Sequence, residues 1–78
     1  MKKVIVPSEN TANTINISDV PLDTTIFVKT PSGNFYGMIT KHGDYWELTT
    51  LHYKFFQSDT RDKCAQSIIN ANYELYIN

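Results

Sequence analysis

From Thr24 onward, apolar positions recur in short alternating runs, and only once does their spacing lengthen to that of a helix. Thr24-Thr25-Ile26-Phe27-Val28-Lys29-Thr30 is rich in β-branched and aromatic residues and stops at Pro31-Ser32-Gly33, as a strand entering a hairpin does. Pro31 suits the first central position of a type I turn and Gly33 the left-handed position that follows. A three-residue loop with Thr30 facing Asn34 is therefore predicted. That loop implies a register in which Val28 pairs with Tyr36, Ile26 with Met38 and Phe27 with Gly37. Asn34 to Lys41 forms the second arm, His42-Gly43-Asp44 a tight turn, and Tyr45 to Thr50 a third strand.

Two versions of the second turn remain open. A three-residue loop puts Trp46 and Leu48 on one face with Ile26, Val28, Tyr36 and Met38, whereas a two-residue Gly43-Asp44 loop puts them with Phe27 and Ile39. The first is preferred because it collects more bulk, Trp46 included, on one side. Its opposite face then carries Phe27, Lys29, Phe35, Ile39, Lys41, Tyr45 and Glu47.

The helical spacing follows the segment His52 to Phe56, which reads as a prolonged strand or a covering loop. Arg61, Cys64, Ala65, Ile68 and Ile69 recur at three and four residues, with Lys63, Gln66, Ser67 and Asn70 opposite. Ser58 or Asp59 is the expected cap, Asp59 and Asp62 sit near the positive end of the dipole, and Asn72 suits a left-handed C-terminal position. Tyr73, Leu75 and Ile77 then alternate as a last strand. At the other end, Lys3–Val6 reads as a short edge strand stopped by Pro7, and Ser8 to Thr14 as a mobile lead-in. Ile15 to Asp23 reads as a short strand and turn. A helix with one apolar stripe needs a second layer, and the antiparallel sheet is the only partner long enough. The expected fold is α+β: four or five strands around a central meander, packed on one C-terminal helix and closed by a short strand, all one domain over 1–78.

Composition narrows the function classes. Seven Lys+Arg against eight Asp+Glu exclude both the strongly basic footprint of a dedicated nucleic-acid binder and the acidic surplus of a nucleic-acid mimic. The lone cysteine, Cys64, cannot form an intramolecular disulfide and lies on the apolar stripe, where it reads as a small buried hydrophobe. A reducing compartment, the cytoplasm, is the expectation. Met1 to Val6 is too short for a signal peptide's apolar core, and no run approaches a membrane span. At 78 residues the core is small, so aromatic packing, 13% of the chain, or self-association must supplement it.

No catalytic constellation is evident. His42 reads as a solvated turn residue and His52 as a packed or surface one. The two lie at opposite ends of the third strand, too far apart for one metal site. Gly33, Gly37 and Gly43 fit no phosphate-binding motif and read as turn or bulge. The expectation is a non-enzymatic module without metal or cofactor.

The informative feature is the second sheet face, where four of seven side chains are large and apolar, against the cleaner alternation of a one-sided sheet. Either the N-terminal strands and residues 53–56 fold over it, or the register is the slipped one, or it binds a protein, a second copy of the chain included. A third reading is stacking of nucleic-acid bases on Phe27, Phe35 and Tyr45 with Lys29 and Lys41 on phosphates. Protein binding is favoured, with Phe27, Phe35 and Tyr45 as anchors and Lys29, Lys41 and Glu47 as the selective rim. Six Lys against one Arg, with eight Ile and seven Asn, suit an A/T-rich coding sequence. That composition points to an accessory protein of a bacteriophage or mobile element that occupies a partner's surface as inhibitor or adaptor.

Overall fold

The strand-forming runs join into one seven-stranded sheet in the structure, a computed structural model that describes residues 1–6, 13–50 and 54–78. The strands are β1 (Lys2–Ile5), β2 (Thr14–Asn16), β3 (Ile26–Lys29), β4 (Phe35–His42), β5 (Tyr45–Thr49), β6 (Lys54–Ser58) and β7 (Glu74–Ile77). The helix is α1 (Arg61–Asn70), and a 3₁₀ turn covers Ile17–Asp19. The strand order is β2-β1-β7-β3-β4-β5-β6, antiparallel throughout except for the parallel pair β1 and β2. The fold is α+β, with a helix near the C-terminus on one face and a last strand returning to the middle of the sheet. Among the described residues, no helix is long and apolar enough to cross a membrane.

Three expectations about the sheet are corrected. Seven strands replace four or five. The first strand is not an edge: β1 has β2 on one side and β7 on the other, and the three-residue β2 takes the edge. The N-terminal strands and β6 extend the sheet at its two ends instead of folding over its second face. Residues 7–12 and 51–53, which include most of the expected mobile lead-in and also His52, lie outside the described residues.

The first hairpin loop forms as predicted. Thr30 N–H donates to the Asn34 carbonyl at 2.9 Å, Gly33 N–H donates to the Thr30 carbonyl at 2.8 Å, and Gly33 holds φ at +90°. The register beyond it shifts, because Lys29 pairs with Phe35 but Val28 pairs with Gly37, leaving Tyr36 as an extra residue. This bulge lets Tyr36 stack on Tyr73 with ring centroids 4.8 Å apart. It also brings Gly37 where a Cβ would overlap the Thr49 carbonyl oxygen and crowd Leu48 Cδ1 and Thr50 Cγ2. The second loop has two residues, His42 pairing with Tyr45 across Gly43-Asp44, and Gly43 at φ +59°. The shorter loop forms in place of the preferred one, yet Trp46 and Leu48 still share a face with Ile26 and Val28, because the bulge at Tyr36 and the shorter turn offset each other.

The consequence is a change of face for two candidate site residues. Ile39 pairs with Ile26 and Leu48 and is 5% exposed in the core. Lys41 pairs with Trp46, and its Nζ sits 5.9 Å from that ring's centroid on the helix side. Neither belongs to the second face.

The core between the layers joins Val4, Ile26, Val28, Ile39, Leu48, Leu75 and Ile77 of the sheet to Cys64, Ala65 and Ile68 of α1, with Ile17 and Val20 beside them. The helical stripe is buried as its spacing predicts. The cap is Thr60, one residue past the expected pair, its hydroxyl accepting from Lys63 N–H at 3.2 Å. Asn72 ends the helix at φ +70° as anticipated. Arg61, at the first helical position, points inward and donates to the carbonyls of Ile17, Val20 and Pro21, tying the 3₁₀ turn to the helix.

Candidate functional site: the open sheet face

With α1 and the 3₁₀ turn on one side of the sheet, the other side has no described helix or strand over it. Cross-strand pairing lays out a row Lys3, Tyr76, Phe27, Met38 and Thr49 through β1, β7, β3, β4 and β5. Beside it Glu74, Lys29 and Phe35 form a second row. Phe27 and Phe35 meet edge to face at 6.3 Å, and Lys29 Nζ lies 4.9 Å from the Tyr76 ring centroid. The Tyr76 hydroxyl donates to Glu74 Oε1 at 2.9 Å, and Lys3 Nζ reaches Glu74 Oε2 at 3.5 Å. The hydrogen bond to Glu74 holds the Tyr76 phenol above its ordinary pKa, with burial and the Glu74 charge adding to it. Glu74 is thus shared by Lys3 and Tyr76, while Lys29 has no carboxylate in ion-pair reach among the described residues.

Phe27, Phe35 and Tyr45 share this face but do not form one patch. Phe35, 59% exposed, stands at the start of β4, whereas Tyr45, 38% exposed, pairs with His42 at its far end. Seven residues of strand separate the ends, roughly 23 Å at the usual rise. Two clusters result.

The second cluster surrounds Glu47, which was expected at an exposed rim and is instead completely buried. His42 Nε2 lies 2.9 Å from Glu47 Oε1, Gln57 Nε2 donates to Oε2 at 3.1 Å, and Thr49 Oγ1 donates to Oε1 at 3.5 Å. Thr40 Oγ1 is 2.7 Å from both His42 Nε2 and Thr49 Oγ1, and the His42 ring stacks on Tyr45 at 5.7 Å. His42 is therefore not a solvated turn residue. A bulge in β6 explains the arrangement: Trp46 pairs with Ser58 but Leu48 with Phe55, and Phe56 takes φ +58° opposite Glu47. A carboxylate stripped of water needs such a set of donors, and among the described residues it has three. The sequence signal was the alternation of Thr40 with His42 and of Glu47 with Thr49, which the two-residue turn aligns.

The geometry limits what this cluster does chemically. Thr40 and Glu47 both meet His42 at Nε2, whereas a nucleophile–histidine–carboxylate relay uses the two ring nitrogens separately. Among the described residues, no three His, Cys, Asp or Glu side chains converge for a metal. Cys64 lies behind the sheet, its thiol donating to the Phe56 carbonyl at 3.0 Å. Burial, with the Glu47 charge adding, pushes its pKa up to about 11, so it is protonated at neutral pH. Ellman's reagent is expected to label it only as fast as the protein opens, with rapid labelling in denaturant. Rapid labelling of the native protein would contradict this burial.

A cleft of about 470 Å³ beside β1 and the C-terminal half of α1 has Val4, Val6, Ile69 and Tyr73 as its apolar wall. Its charged groups, Lys3 and Glu74, already pair with each other. No protein-family model matches this chain, and neither a curated protein nor a solved structure matches it.

Proposed function

We propose that this protein is a non-enzymatic binding module that docks another protein on its open sheet face. The observation that supports this is Phe35, more than half exposed, edge to face with Phe27 and beside Lys29, on a face without a described covering element. Aromatic rings of this kind are enriched at the centres of interfaces and dominate their energy. Lys29 contributes selectivity, because a charge without an ion-pair partner among the described residues favours docking partners that supply one. The anchors of the reading are Phe27, Phe35 and Tyr76 at one end and Tyr45 at the other, with Ile39, Lys41 and Glu47 removed. The module works by occupying a partner's surface as inhibitor or adaptor, in the manner of bacteriophage and mobile-element accessory proteins, in a reducing cytoplasm that keeps Cys64 a thiol.

Phe35→Ala is expected to weaken partner binding by more than about 1 kcal/mol, roughly fivefold in Kd, while the melting temperature moves little. A large fall in melting temperature would identify the ring as core and remove the site. Stacking of single-stranded nucleic acid on the same rings predicts instead a steep loss of affinity with salt. The formal charge of −1 and the pairing of Lys3 with Glu74 argue against it.

A further inference from the structure

We draw no further inference here: the strongest candidate, the cleft of about 470 Å³ between β1 and the C-terminal half of α1 with Val4, Val6, Ile69 and Tyr73 as its apolar wall, adjoins at Val6 residues 7–12, which lie outside the described residues, and nothing in the structure shows what covers it.

Discussion

Arg61→Met is expected to destabilise the protein by about 1–3 kcal/mol, because it takes the Arg61 donor from the Val20 carbonyl, while Ile17 O keeps Val20 N–H and Pro21 O keeps Thr24 N–H. The guanidinium donates through Nη1 to Pro21 O at 2.9 Å and through Nη2 to Ile17 O at 3.0 Å and to Val20 O. These carbonyls end the 3₁₀ turn, where backbone dipoles leave partial negative charge, so a buried cation is a suitable cap. The site is not ideal: Arg61 Nε has no partner, and burial presses the guanidinium below its ordinary pKa while Asp62 works against that shift. Removing the cation therefore relieves some desolvation, which offsets part of the loss. Arg61→Lys, with one compact ammonium in place of a fork, is expected to fall between methionine and the parent. Urea unfolding with an unchanged m value measures the difference as a shift in midpoint. A methionine variant as stable as the parent would mean that water, not Arg61, satisfies these carbonyls.

Ile68→Ala is the second large effect, expected at about 2–5 kcal/mol. Ile68 is wholly inaccessible on the buried stripe of α1, in the cluster with Cys64, Ala65, Leu48 and Leu75. Truncation removes transfer energy and leaves a cavity that the flanking strands cannot close, since each is paired on both sides. For a domain of this size the loss corresponds to a fall in melting temperature of roughly 10 °C or more. Ile69→Ala, on a neighbouring half-buried position, is expected to cost less. Equal costs at the two positions would show that the stripe is not oriented as described.

The helix was legible because every signal for it is local. Arg61, Cys64, Ala65 and Ile68 recur at helical spacing, and the polar positions between them have no competing pattern. The first hairpin was legible for the same reason: Pro31 and Gly33 restrict their own backbone angles. In contrast, the pairing of β1 with β2 in parallel, and the insertion of β7 between β1 and β3, join segments distant in sequence and leave no turn chemistry to read.

The candidate site was legible in part. Phe27, Lys29, Phe35 and Tyr45 are on the expected face, although at two ends of it. Ile39 and Lys41 moved to the helix side, and Glu47 became a buried acceptor. Tyr76 and Met38, which complete the aromatic end, were read as last-strand and opposite-face residues. The moves of Ile39, Lys41 and Met38 come from two one-residue decisions, the Tyr36 bulge, which exchanges the faces of β4, and the two-residue turn at Gly43-Asp44, which restores the expected faces in β5. With a side-chain period of two, a single inserted or deleted residue exchanges the faces beyond it until a second one restores them, whereas the burial of Glu47 comes from the bulge in β6.

By itself, then, the amino-acid order determined the three strands of the meander and the last strand, where the described helix lies and which stripe of it is buried. Only the tertiary structure decided which rings stand outside. That choice turned on the fit of Tyr36 against Tyr73, on the space beside Gly37 and on the donors that gather around Glu47. Such energies exist only once distant strands are in contact, and no local propensity contains them.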